Sequence, residues 1–215
     1  MHWKWLLLTV LGVSHEVSAA FHQEAPLLPT PSVDDCTGTK NDSKSDKYIC
    51  GDTRLGPKDL PTERTLGEIV YDYHRFGNKT PGEFLKKWTG RDGSYKYPLL
   101  NGFQLDINGV PILGNMTLTA GTKVDRFGSE YGQYVSAADA PFSQRSLPPS
   151  SLDTTGNDTK YPNDYHIYSV NIPFTVIGGP IAPWFDQPGL GAQYFLGAAE
   201  TINSLKGKKY LVDWK

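Results

Sequence analysis

Cysteine is scarce in this chain. Its 215 residues include two, Cys36 and Cys50, so no multi-bridge scaffold is possible and the core must come from apolar packing. Excess charge is also lacking: the formal net charge is −2, which leaves no electrostatic footprint for nucleic acid or an anionic membrane surface. The apolar run Leu6–Val13 falls short of the ~20 residues that a membrane span needs. The nucleophile-elbow pattern Gly-x-Ser-x-Gly is absent. Of five histidines, His22, His74 and His166 remain once the N-terminal segment is set aside, and they lack metal-ligand spacing. Gly189-Leu-Gly191 lacks the third glycine and the following helix of a dinucleotide fingerprint. No acidic loop has EF-hand spacing, so calcium is not expected. No internal repeat is visible.

The N-terminus carries a secretory signal. Lys4 precedes the apolar run, and Val17-Ser-Ala19 supplies a small-residue cleavage site, giving a signal peptide over residues 1–19. Lys4 and Glu16 cancel, so cleavage leaves the net charge unchanged. In a secreted chain Cys36 and Cys50 are expected to pair, closing a short loop that contributes ~3 kcal/mol at best. Four sequons begin at Asn41, Asn78, Asn115 and Asn157; they indicate eukaryotic glycosylation, and occupied sites must lie at the surface. Residues 20–60 read as a disulfide-stapled N-terminal arm, and residues 61–215 as one domain.

Two capping-box patterns stand out. Thr65-Leu-Gly-Glu68 predicts a helix from about Leu66 to Phe76, and Thr80-Pro-Gly-Glu83 a second one ending near Gly90. Strand patterns follow. Phe103–Ile107 and Val110–Ile112 flank Asn108-Gly109, a hairpin signal. Thr117–Thr119, Lys123–Phe127, Gln133–Ser136, Tyr165–Asn171 and Phe174–Ile177 read as further strands, with residues 146–164 as a long loop. A short helix over Glu200–Leu205 and a closing strand over Lys209–Trp214 complete an α+β chain, helices first and then a mainly antiparallel sheet.

The stretch Pro180-Ile-Ala-Pro-Trp-Phe-Asp-Gln-Pro-Gly-Leu-Gly-Ala-Gln-Tyr194 combines three prolines and two glycines, a stiff shaped loop between two apolar runs. Trp184, Phe185 and Gln193 could serve a flat organic ligand, or the aromatics could fill the core. Arg126 and Arg145 sit among aromatics and prolines, where a guanidinium suits a phosphate; the alternative for each is an ion pair with Asp125, Glu130 or Asp139. Tyr134 and His166, both on strands, are weaker candidates.

Three pieces now occur in order: Asp125-Arg-Phe-Gly128, Gln144-Arg-Ser-Leu-Pro-Pro149, and Ala182-Pro-Trp-Phe-Asp-Gln-Pro-Gly189 followed by Gln193-Tyr194. With Tyr165-His-Ile-Tyr168 they resemble the TNT domain, the NAD-hydrolysing domain named for the tuberculosis necrotizing toxin, and within it the secreted fungal NADases. The resemblance covers roughly Pro98 to the C-terminus. It implies a secreted or cell- or spore-surface NAD+ glycohydrolase that releases nicotinamide and ADP-ribose, with no metal and no cofactor beyond the NAD+ substrate. NADP+ is a second candidate substrate, and relatives imply a homodimer. Carried onto this chain, Arg126 and Arg145 would hold the pyrophosphate or nearby ribose oxygens. Phe127, Gly128, Trp184 and Phe185 would border the substrate. Gln193 would act at the nicotinamide ribose, with Tyr134 and His166 at active-site positions. Asp125, Glu130 and Asp186 stay open as an assisting carboxylate. A transferase or cyclase acting on the same bond, and a non-catalytic secreted glycan-binding or adhesive domain, are the other readings.

Overall fold

The computed structural model describes residues 34–41, 46–62, 64–154 and 162–214. The expected signal peptide, most of the proline-rich arm and the Asn157 sequon lie outside the described residues. Asn41, Asn78 and Asn115 are exposed.

Seven strands form one antiparallel sheet: β1 (Gly114–Leu118), β2 (Lys123–Phe127), β3 (Tyr134–Ala137), β4 (Tyr165–Val170), β5 (Phe174–Pro180), β6 (Ala192–Phe195) and β7 (Leu211–Asp213), in the spatial order β1-β5-β6-β3-β2-β4-β7. The α+β class read from the sequence holds. Side chains alternate between faces along each strand, and paired residues share a face. One face therefore collects Leu118, Val124, Val135, Tyr168, Val170, Val176 and Leu211, and buries them against Ile202 and Leu205 of α3 (Ile202–Gly207). The other carries Asp125, Phe127 and Tyr165, with Ser136 and Gln193 joined to them by register. Phe127 and Tyr165 pack there against Phe142 and Leu152 and against Ile69 and Val70 of α1 (Arg64–Val70).

Helix α2 (Pro81–Trp88) forms as its sequence directs. Thr80 Oγ1 accepts from the Glu83 amide and the Glu83 carboxylate accepts from the Thr80 amide, with Pro81 at the first helical position. Its Phe84 and Leu85 join Phe76, Phe185, Ile49 and Leu55 in a third apolar cluster. The Cys36–Cys50 disulfide is present. Cys50 packs against this cluster, so the stapled arm contributes to the core as well as to the surface.

Two expectations change. Helix α1 opens at Arg64, before the Thr65 that the cap pattern favours, and stops at Val70 instead of Phe76. Tyr73 belongs to the cluster around Phe142 and Phe76 to the cluster around Phe84; one straight helix would put residues three apart on a single face, so the chain turns between them. The Asn108-Gly109 turn forms without a ladder: one bridge joins Leu105 to Pro111. Pro111 has no amide to donate, and the Asp106 carboxylate takes the Asn108 and Val110 amides at 2.9 and 2.8 Å.

Asp153, which follows a 3-10 turn (Pro149–Leu152), has one carboxylate oxygen buried without a hydrogen-bond partner. Burial raises its pKa from 3.8 to about 7, against the pull of Arg75. A raised carboxyl favours the native state below its unfolded value, and that benefit is lost as pH climbs through the folded value. Asp153→Asn is expected to match the parent near pH 4 and to have the higher urea midpoint near pH 8; equal midpoints at both would contradict this assignment.

Candidate active site

Gln193 lies on β6, opposite Ser136 on β3 and Gly179 on β5. Its carboxamide reaches a cavity of about 330 Å³ bounded by Tyr97, Pro98, Asn101, Gly102, Arg126, Tyr134, Arg145, Ser146, Leu147 and Ile181. The floor is the sheet. One wall is the arginine-bearing segments, and the cover is the chain from Tyr97 to Gly102. Two larger depressions flank the disulfide arm and α2, but they are lined mainly by exposed charged, polar and glycine residues. The smaller cavity is where buried polar groups converge.

The two arginines differ in what they have left to offer. Arg145 is almost fully buried and meets Asp125 end-on through both terminal nitrogens, with Nη1–Oδ1 at 2.5 Å and Nη2–Oδ2 at 2.7 Å. Its Nε and Nη2 also donate to the Ala140 carbonyl, and the guanidinium lies 5.3 Å from the centre of the Phe127 ring. Tyr165 donates its hydroxyl to Asp125 at 2.7 Å. Burial pushes the Asp125 carboxyl above its ordinary value, while Arg145 and Tyr165 pull it down. Of the two alternatives open for Arg145, an ion pair with Asp125 is the arrangement present.

Arg126 has no carboxylate within 4.0 Å among the described residues. Its Nε donates to the Ser129 carbonyl at 2.8 Å and its Nη1 to the Tyr134 carbonyl at 2.9 Å. Burial lowers its pKa, and Tyr168 and Asp164 act the other way; a guanidinium stays charged regardless. The side chain fills space that only glycine leaves open, since a Cβ on Gly132 would stand 2.1 Å from Arg126 Cζ. Gly128, in the positive-φ region at 104°, borders the same guanidinium.

Gln193 Nε2 donates to the Asn101 carbonyl at 2.8 Å. With the nitrogen so engaged, Oε1 is the atom left to accept. Tyr134 stacks its ring on Phe195 at 5.0 Å, and burial raises its hydroxyl pKa.

Other sequence candidates lie elsewhere. Phe185 is 0 % exposed within the Phe84 cluster. Trp184 packs on Trp88 at 5.0 Å and donates its indole N–H to the Lys96 carbonyl. Phe127 is buried beneath Arg145. His166 pairs across the sheet with Arg126, but its ring meets Asp164 at 3.0 Å and stacks parallel to Tyr168. None of these four borders the cavity.

No carboxylate borders it either. Asp125 is held by Arg145, Glu130 by Lys206 and Tyr168, and Asp186 by Lys79, Lys87 and Trp88. Sequence reading missed Tyr97, Pro98, Asn101, Gly102, Leu147, Ile181 and Ser146. Ser146 and Leu147, inside the Gln144–Pro149 motif, and Ile181, inside the Pro180–Tyr194 stretch, had a signal that could have found them.

The class defined by this arrangement is an antiparallel-sheet protein with a cationic, carboxylate-free pocket. The family model for the tuberculosis necrotizing toxin (TNT) matches residues 117–214. The conidial surface nicotinamide adenine dinucleotide glycohydrolase nadA of Aspergillus fumigatus is 47 % identical over 189 residues, covering 86 % of this chain and 76 % of that protein. The solved structure of tuberculosis necrotizing toxin complexed with its immunity factor superposes with a TM-score of 0.51 at 19 % identity, covering 73 % of this chain and 88 % of that one. The chain belongs to the TNT family.

If Phe185 is core, Phe185→Ala should cost about 3–5 kcal/mol in chemical denaturation. A loss below about 1 kcal/mol, with a fold otherwise intact, would contradict that placement.

Proposed function

We propose that the protein is a secreted or cell- or spore-surface NAD+ glycohydrolase, cleaving the nicotinamide–ribose bond to give nicotinamide and ADP-ribose. The observation that carries this reading is the convergence of Arg126, Arg145, Tyr134 and Gln193 on one cavity, in a chain 47 % identical to a NAD glycohydrolase.

The chemistry suits the residues. The nicotinamide ring of NAD+ is cationic; it leaves with the bonding electron pair and becomes neutral, so no general acid is needed. The ribosyl carbon becomes oxocarbenium-like, water adds to it, and one proton is released. A glycosidase carboxylate has no place in this cavity. Gln193 Oε1 supplies a fixed negative dipole end toward the ribose and its developing charge, in a site preorganised before substrate arrives. Arg126, with no carboxylate within 4.0 Å among the described residues, brings its positive charge and Nη2 to the diphosphate. Arg145 brings a charge already balanced by Asp125, so its main contribution is to shape the wall. Tyr134 borders the ring-binding side. The volume lies at the small end for ligand pockets, which suits the nicotinamide-ribose half, with the ADP half running outward past Arg126.

The extra phosphate of NADP+ sits on that outer half, so the cavity does not select against it. A homodimer finds support in the exposed aliphatic side chains of Leu99, Ile107, Val110, Ile112 and Leu113, beside the open edge strand β1. Product analysis by mass spectrometry separates hydrolysis, giving free ADP-ribose, from transfer or cyclisation. A glycan-binding domain would leave NAD+ intact.

In an etheno-NAD assay, Gln193→Ala should lower kcat at least about 10²-fold while the fold is kept; full activity would remove Gln193 from the mechanism. Arg126→Ala should raise KM about 10–100-fold, the value of a charge-assisted hydrogen bond. Gly132→Ala, which displaces the same guanidinium, should raise KM in the same direction; unchanged KM in both would contradict the phosphate role.

A further inference from the structure

The cover of the cavity is built unlike the rest of the chain. Leu100, Asn101 and Gly102 take φ values of 53°, 61° and 75°, three successive residues in the left-handed region. Leucine rarely adopts it; asparagine is among the few side chains that tolerate it. Backbone held this way persists only where its surroundings fix it. Here they do: the Gly102 carbonyl accepts from the Ala182 amide at 2.9 Å, the Gln104 amide donates to Pro180 at 2.8 Å, and Phe103 bridges Ile181. Ahead of it the Tyr97 ring meets Phe185 edge-on at 5.6 Å. The Asn101 side chain itself is exposed. What Asn101 gives the site is its main-chain carbonyl, which holds Gln193 Nε2.

We infer that residues 97–102 form a positioning strap, in which the left-handed Asn101 aims its carbonyl at Gln193 and so fixes which end of the carboxamide faces the substrate. The inference rests on the catalytic reading of Gln193 above. A free carboxamide can rotate half a turn and present N–H in place of Oε1; toward a developing cation that exchange replaces attraction by repulsion. The carbonyl of Asn101 accepts only the nitrogen end, so it selects the productive orientation. The strap therefore acts on the chemical step through Gln193, and Asn101 is a positioning residue.

The test compares Asn101→Gly, Asn101→Val and Gln193→Ala in the full chain, with and without the Asn101 change combined with Gln193→Ala. Glycine accepts left-handed backbone freely and valine resists it. Asn101→Gly, which keeps the left-handed backbone, should retain a higher kcat than Asn101→Val. Asn101→Val should lower kcat about 10–100-fold with KM within about threefold, the cost of a misplaced catalytic group. If the valine variant does not fold, Asn101→Ala imposes a milder penalty and should likewise give a lower kcat than Asn101→Gly. Added to Gln193→Ala, the Asn101→Val or Asn101→Ala change should produce no further loss. Parental kcat in the strained variant, or an equal loss in the Gln193→Ala background, overturns the strap. An active Gln193→Ala overturns the catalytic reading itself, whereas an inactive Gln193→Ala beside a fully active strained variant overturns the strap alone.

Discussion

The buried pair between Asp125 and Arg145 is the constraint on which the site depends. The two groups are nearly inaccessible, and they join the middle of β2 to the 3-10 turn at Phe142–Arg145. Removing one partner from such a pair leaves an unpaired buried charge, at a typical cost of about 3–5 kcal/mol. Ala140, Tyr165 and Phe127 complete the environment through a carbonyl, a hydroxyl and a ring face. With that pair in place, the segment Ser146–Leu147 stands at the cavity wall, and the Ser146 hydroxyl ties it to the 182–184 loop through the Ala182 carbonyl and the Trp184 amide.

The division of labour between the arginines follows. Both reach the same cavity, but only Arg145 is held there in a direct ion pair. An unbalanced, partly desolvated cation attracts an anion far more strongly than one half of a satisfied pair. The absence of carboxylates around the cavity has the same logic: a nicotinamide group that leaves unprotonated needs no acid, and a neutral carboxamide can face a developing cation without being held first as a buried charge. In the proposed mechanism the strap and Gln193 would supply orientation where a glycosidase would supply ionisation.

Local rules carried much of the fold. Thr80-Pro-Gly-Glu83 names its own helix start, Lys123–Phe127 forms the short strand read for it, and the proline-glycine loop at 180–194 joins two strands as its composition requires. Legibility failed where distant contacts decide. Tyr73 and Phe76 continue a helical period in sequence yet enter different clusters. Asp106 diverts hairpin amides that the Asn-Gly signal assigns to a ladder. In the site, motif residues gave Arg126, Arg145 and Gln193, but not which guanidinium would be spent on Asp125. Phe185 and Trp184 stayed open between ligand platform and core because exposure cannot be read from residue type. The strap was invisible because its contribution is a backbone carbonyl, and any residue tolerant of left-handed φ could supply it.

The central claim is that Arg126 meets the diphosphate and Gln193 Oε1 meets the nicotinamide ribose while the Asp125–Arg145 pair stays closed. A crystal structure with a non-hydrolysable carbocyclic NAD+ analogue tests it most directly. The account predicts phosphate oxygens within hydrogen-bond distance of Arg126 Nη2, the ribose ring beside Gln193, and the two Asp125–Arg145 contacts unchanged. An analogue bound with Arg145 swung off Asp125 to hold the diphosphate, or seated away from Gln193, would contradict it.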